Sequence, residues 1–334
     1  MRYQNILICL SVFVSTLFLP SCYKEIDLSD YYSQEAENTL VLNSLINPDS
    51  VIKVSATRLF FFSGNDKGPD YVKDLNIELL VNDESKGNLI FNPIDNLYES
   101  TIYPSEGDSI TIRTAYNGKE VTSTDFVPYK VTIDTIQTRV EGPMRISTEH
   151  DYMITYSLTF KDQPDEQNFY FLDYDDVESE PYSYYMGERV YKDEFVFQQL
   201  ARQVNDKISG WEPYSTEGLP FSDRGIDGKT YTLTVKEILN DNNGGGGYQG
   251  EFRDRGKKSM KRKIELYAIS RSYYNYLISI LSNNSDDAGI HGGLIDLGLV
   301  EPFKIYSNIE GGTGILAGYV QDTQIVELNI HSND

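Results

Sequence analysis

The side chains in this sequence with the most chemistry to offer are carboxylates and phenols. Asp173, Asp175, Asp176, Glu178 and Glu180 crowd one segment, and hard oxygen ligands at alternating positions are the type that holds Ca²⁺. The EF-hand spacing with its central glycine is missing, so a solvated acidic loop is the plainer reading. Asp223 and Asp227-Gly228 form a second candidate for the same chemistry. Tyr182, Tyr184, Tyr185, Tyr191, Phe195, Phe197 and Trp211 lie on a long aperiodic stretch. Tyr184, Tyr185, Tyr191 and Trp211 are the candidate contacts for a ligand, because aromatics add contact area at low entropic cost. The alternative is that these rings plug the end of a β-rich core, where most aromatics reside.

Other chemistries lack their parts. The histidines are His150, His291 and His331, without a His-x-x-x-His pair or a Cys/His cluster of zinc spacing. No Gly-x-Ser-x-Gly elbow supplies a nucleophile. Gly312-Thr313-Gly314 with Gly318 superficially resembles a dinucleotide loop, but an apolar β-like run follows where a helix is needed. These glycines are expected to serve positive-φ turns or close backbone approach. The run Gly244-Gly245-Gly246-Gly247 is not followed by Gly-Lys-Ser or Gly-Lys-Thr, so it is no Walker loop. No cofactor is expected. Paired carboxylates for glycosidic cleavage remain open in so acidic a chain, though nothing in the sequence picks out a pair.

One thiol has an assignable reaction. Arg2 sits in a short basic start, residues 6–19 are almost entirely apolar, and Leu19-Pro20-Ser21-Cys22 follows. That is the form of a secretory signal, whose apolar region runs for about 7–15 residues, and it is short of the ~20 needed to span a bilayer. Leu-Pro-Ser-Cys resembles the bacterial lipoprotein signal, which implies a lipid on the Cys22 thiol and cleavage before it. The chain has only two cysteines, and Cys9 leaves with the signal. The mature protein then has one thiol, at its first residue, and no intramolecular disulfide. Two or more acyl chains, at about 0.8 kcal/mol per buried CH₂, give lasting attachment where one gives only reversible binding.

A formal charge of −22 argues against nucleic acid and against adhesion to anionic lipid. It favours solubility and cationic partners. The roughly 310 residues that follow the signal suggest two domains or one large β domain. The 26 tyrosines and 15 phenylalanines suit half-buried strand surfaces.

The elements that must carry these groups are mostly strands. Residues 22–38 are acidic and aperiodic, the pattern of a tether. Strands are expected over 39–46, 51–57, 75–81, 88–91, 97–102, 109–115 and 120–126, the last two joined by the hairpin signal Asn117-Gly118. Seven short strands over residues 39–129 are the pattern of a β-sandwich. A second, β-rich region is expected over 130–334. Its strands are predicted at 131–136, 152–160, 168–174, 230–235, 263–269, 315–319 and 324–330, with one helix near 270–282 capped by Ser270 or Ser272.

Several short motifs in this order resemble one family. They are Leu40-Val41-Leu42-Asn43-Ser44-Leu45, Gly107-Asp108, Val127-Pro128, Phe160-x-Asp162, Asn168-Phe169-Tyr170 and Phe221-Ser222-Asp223. The most specific are residues 270–277, Ser-Arg-Ser-Tyr-Tyr-Asn-Tyr-Leu, and 305–318, Ile-Tyr-Ser-Asn-Ile-Glu-Gly-Gly-Thr-Gly-Ile-Leu-Ala-Gly. Together they resemble the domain-of-unknown-function 4249 lipoproteins of Bacteroidota. The resemblance implies a mainly β protein with an N-terminal immunoglobulin-like or carboxypeptidase-regulatory-like sandwich. It also implies an outer-membrane location through Cys22 and a TonB-dependent receptor as partner. Lys24-Glu25-Ile26-Asp27 loosely fits the acidic signal for export to the cell surface in that lineage. The family has no established activity and no catalytic residues to carry over. The function expected is a non-enzymatic accessory or ligand-capture module. An adhesin or envelope-structural sandwich, and a carboxylate-dependent hydrolase, are the alternatives.

Overall fold

The computed structural model describes residues 38–59, 69–146, 151–164, 166–177, 188–205, 214–215, 218–240, 258–282 and 304–330. Cys22, Tyr184, Tyr185 and Trp211 lie outside them.

Alternation builds the first layers. β1 (Leu40–Ile46) buries Leu40, Leu42, Ser44 and Ile46 on one face, and β2 (Lys53–Arg58) buries Val54 and Ala56. β3 (Glu78–Val81) and β4 (Glu84–Asn88) turn through Asn82 and Asp83, both at positive φ (52° and 65°). β3 falls within the strand expected over 75–81, but β4 is not among the expected strands, because no glycine marks the turn and every residue of β4 is exposed. β5 (Ile90–Asn92) and β6 (Leu97–Glu99) follow, then β7 (Ser109–Tyr116) and β8 (Lys119–Phe126). Asn117 and Gly118 make the tight turn between the last two, at φ 49° and 74°, as the sequence predicts.

The chain crosses into a second region through Val127, which is buried in the first core, and Val131, which is buried in the second. There lie β9 (Ile133–Met144), β10 (Asp151–Lys161), β11 (Phe169–Asp176), β12 (Glu188–Val190), β13 (Tyr214–Ser215), β14 (Leu219–Ser222), β15 (Thr230–Asn240) and β16 (Lys258–Ile269). Two helices accompany them among the described residues. α2 (Arg271–Leu281) is the expected one, and the Ser270 hydroxyl caps it by accepting from the Tyr273 N–H at 3.2 Å. α1 (Phe195–Asn205) is not foreseen in the sequence reading. Val196, Phe197, Leu200 and Val204 recur at helical spacing and are all buried. That period is masked by the crowd of aromatics in which it begins.

The last strand departs furthest from expectation. Two short strands are predicted, but β17 is one strand of 18 residues, Thr313–Ile330. Its first part pairs in parallel with β1, with Ser44 opposite Leu316, and the rest of it pairs antiparallel with β16 from Ile269–Tyr319 to Lys258–Ile330. This strand joins an eight-stranded sheet in the order β14-β11-β16-β17-β1-β2-β6-β5. The β4-β3-β7-β8 sheet shares one core with the β1 end of the large sheet, and the β13-β12-β15-β10-β9 sheet shares another with the β11–β16 end. The fold is mainly β, with two cores under one continuous sheet. Thr39–Asp334 forms one compact unit.

Asp125 of β8 ties these parts together. Its carboxylate accepts from the Gly318 N–H of β17 at 2.9 Å and from the Ser272 hydroxyl of α2 at 3.1 Å, and it is buried. The segments 270–277 and 305–318, the most specific parts of the resemblance, therefore meet at one carboxylate.

Candidate functional site

Three short motifs converge at one end of the second core. Phe160 lies near the end of β10 and Asp162 just beyond it, Asn168 immediately precedes Phe169-Tyr170 at the start of β11, and Asp223 immediately follows Phe221-Ser222 at the end of β14. Phe160, Tyr170 and Phe221 pack ring on ring, with centroids 5.3 to 6.3 Å apart. The burial of these rings fixes the strand ends and brings Asp162, Asp223 and Asp227 together. One carboxylate oxygen from each lies within 4.8 Å of the others.

The donors around this group decide what it does. Asp162 accepts from the Tyr170 hydroxyl and from the Gly228 N–H at 2.7 Å, while its own N–H donates to the Lys229 carbonyl. Asp223 accepts from the Asn168 N–H at 2.7 Å and donates its N–H back to the Asn168 carbonyl. Asn168 also closes the β10–β11 turn through the Gln163 and Glu166 carbonyls. The two buried carboxylates thus clasp three loops. Asp227 is exposed and adds a third charge. Burial pushes the Asp162 carboxyl above the usual carboxylate range; the Tyr170 and Gly228 donors act against this, and the Asp227 charge adds to it. Burial also raises Asp223, and the charges of Asp162 and Asp227 add to that.

Two results are expected from this geometry. Asp162→Ala leaves the Gly228 N–H and the Tyr170 hydroxyl without their acceptor, at a cost of about 1–3 kcal/mol by urea denaturation. An unchanged midpoint would show that the clasp is not structural. The pH dependence has a definite sign. A carboxyl whose folded pKa lies above its unfolded value binds more protons folded than unfolded across that interval. Stability therefore rises as pH falls from neutral toward the ordinary carboxylate range near 4. A thermal melt series from pH 7.5 to 5 should show this rise, and Asp223→Asn should reduce it.

Asp173 and Asp175, sequence candidates for Ca²⁺, belong to β11 and face an internal cation instead. Asp173 accepts from Arg189 Nη1 at 2.6 Å, and Asp175 lies 3.5 Å from Nη2. Arg189 also donates to the Tyr174 carbonyl and stacks 4.3 Å over the Tyr174 ring. The guanidinium supplies to Asp173 and Asp175 the positive charge that a metal would bring. Asp176 is the last residue of the strand, its backbone in register with that of Arg262 on β16. Among the described residues, the group whose geometry could hold a metal is Asp162, Asp223 and Asp227, the second sequence candidate joined by Asp162.

Tyr191, a sequence candidate for ligand contact, is fully buried against Phe197 at 4.7 Å and Tyr174 at 6.5 Å. Burial pushes its hydroxyl up to about 12. It is a core residue, since the helix α1 turns Phe197 onto it.

Sequence reasoning missed a cleft of about 240 Å³ beside the clasp, bounded by Phe126, Tyr129, Gln163, Glu166, Gln167 and Asn168 over a floor that includes Tyr170 and Ile269. Its walls come from residues 107–131, 163–170 and 268–269, which no local pattern connects. The signal available was the Val127-Pro128 segment followed by Tyr129, an aromatic left 54% exposed just where the chain changes cores.

No curated protein matches this chain. Among solved structures, a membrane anchored protein from Corynebacterium diphtheriae aligns at 12% identity over 69% of this chain and 54% of that one, with a TM-score of 0.20. The chain spans about half the length of that protein. The collagen binding domain of the Erysipelothrix rhusiopathiae surface protein RspB aligns at 10% identity over 71% of this chain and 89% of that one, with a TM-score of 0.19. The model of a domain of unknown function (DUF4249) matches residues 25–325, nearly the whole of the chain, which therefore belongs to the DUF4249 family.

Proposed function

We propose that this protein is a lipoprotein anchored through Cys22 in the outer membrane, serving as a non-enzymatic accessory or ligand-capture partner of a TonB-dependent transporter. The observation that carries this reading is Leu19-Pro20-Ser21-Cys22 at the end of an apolar run, in a chain with no later cysteine. The handling of charge supports a binding role over catalysis. Asp162 and Asp223 hold loops, Glu237 is engaged by Arg262 and Tyr156, and Asp125 joins two elements. Each of these buried carboxylates is spent on donors of its own fold. Their geometry is that of a rigid scaffold presenting a cleft.

The test is fractionation. The wild-type chain should partition with the membrane and be released by detergent, while Cys22→Ala should appear in the soluble fraction. A Cys22→Ala chain still bound to membrane would overturn the anchor. Purification in mild detergent should bring down a receptor of the outer membrane, and repeated isolation without one would remove the partner from this reading. Protease shaving of intact cells reports which face the protein occupies.

A further inference from the structure

The cleft between the two cores has a one-sided chemistry. Two aromatic side chains stand open on one wall, Phe126 at 43% and Tyr129 at 54% exposure. Gln163, Glu166 and Gln167, all exposed, line the cleft from the β10–β11 turn. Among the described residues the lining includes one carboxylate and no lysine, arginine or histidine. The floor is apolar, with Phe169, Ala268 and Ile269 buried.

The charge behind that floor has the same sign. Tyr170 lines the cleft and donates to Asp162, and Asn168 lines it and donates to Asp223. Both carboxylates are satisfied by hydroxyl and backbone donors, without an ion pair to a described lysine or arginine. Arg271 stands 5.1 Å over the Phe169 ring, but the hydrogen bonds to the two carboxylates come from uncharged groups, which leaves both with their charge. A low-dielectric floor transmits its potential better than water would.

We propose that this cleft binds a primary amine carried on an aliphatic stem, such as a lysine side chain or a short diamine. The stem lies on the apolar floor. The ammonium is held at Glu166 and the Gln163 and Gln167 carbonyl oxygens, against the faces of Tyr129 and Phe126, where a cation is attracted to the ring quadrupole. A volume of about 240 Å³ admits a chain of five or so carbons with its terminal nitrogen. A carboxylate or phosphate ligand would meet Glu166 and the buried aspartates, which excludes it by repulsion. This proposal rests on the reading of the chain as a binding module and adds the class of ligand.

The experiment is calorimetric titration of the full chain in detergent with 1,5-diaminopentane and with Nα-acetyl-lysine amide. Pentane-1,5-diol and a hexose are the neutral comparisons. The amines should bind with a Kd on the order of 1 mM, weakening severalfold between about 0.05 and 0.5 M salt, and the diol should give no saturable heat. Glu166→Gln and Tyr129→Ala, both at exposed positions, should each weaken the amines about three- to fivefold without moving the melting temperature. Glu84→Gln on β4 should change nothing. Equal binding of diol or hexose, indifference to Glu166→Gln, or no heat from either amine at 20 mM would each overturn the proposal. A negative titration with receptor association intact would remove the ligand class and leave the accessory role standing. Amine binding without any receptor would do the reverse.

Discussion

Gly314→Ala is expected to destabilise the protein by about 3 kcal/mol or more. Gly314 has a φ of +111°, a region that side-chain-bearing residues rarely enter, and a Cβ there would stand 2.0 Å from the Leu42 carbonyl oxygen of β1. The obstacle is backbone, so no rotamer change relieves it. The strand must retreat, and the strand in question is the one that both cores share. Gly318 repeats the situation four residues on, where a Cβ would meet the Phe126 carbonyl oxygen at 2.0 Å and displace the N–H that binds Asp125. Gly87 separates the two causes. It also has a positive φ, +92°, but nothing lies within 4 Å of its would-be Cβ. Gly87→Ala should cost only the conformational strain, about 1–2 kcal/mol. Urea denaturation of the three variants checks the ranking. A Gly314→Ala midpoint equal to that of Gly87→Ala would show that β17 is not wedged against β1.

Glu237→Leu should be as damaging for an electrostatic reason. Glu237 and Arg262 are both fully buried, bonded Nη2 to Oε1 at 2.9 Å and Nε to Oε2 at 3.2 Å, and the Tyr156 hydroxyl donates to Oε2 at 2.6 Å. Removing the carboxylate takes from a buried guanidinium the two hydrogen bonds and the opposite charge that Glu237 supplies, which costs about 3–5 kcal/mol. Replacing both, as Glu237→Leu with Arg262→Met, removes the stranded charge and should recover most of that loss. The double-mutant cycle is read from denaturation midpoints. A double variant no more stable than Glu237→Leu would mean that the pair contributes through shape and not through charge compensation. The pair sits on adjoining layers, Glu237 on β15 and Arg262 on β16, so the loss should also loosen the contact between the five- and eight-stranded sheets.

Local patterns made much of the molecule legible. Alternation located β1, β7 and β8, Asn117-Gly118 located their hairpin, and the spacing of Tyr274 and Ile278 with Ser270 before them located α2. The short motifs ending in Asp162 and Asp223 were visible as a resemblance, but their meeting was not, because 61 positions of chain separate them and only the stacked rings of Phe160, Tyr170 and Phe221 bring them together. α1 was hidden because its apolar period begins at Val196-Phe197, on a stretch already dense in aromatics. Arg189 was invisible as the partner of Asp173 and Asp175, since a cation 14 to 16 positions away gives no periodic sign of where it folds back.

By itself the sequence determined what is covalent or local. It set the candidate lipid attachment at Cys22, the strand-rich character, the turn at Asn117-Gly118 and the excess of negative charge. The tertiary structure decided what depends on distant backbone meeting backbone. It placed β17 beside β1 in parallel, made two cores share one sheet, and opened the cleft between Tyr129 and Gln163. The physical reason is that a strand's side-chain alternation records which face is buried, while its edge hydrogen bonds accept any partner of suitable register. The glycines of 311–318 bear the trace of that choice, because two backbones can approach to that distance only where no Cβ stands between them.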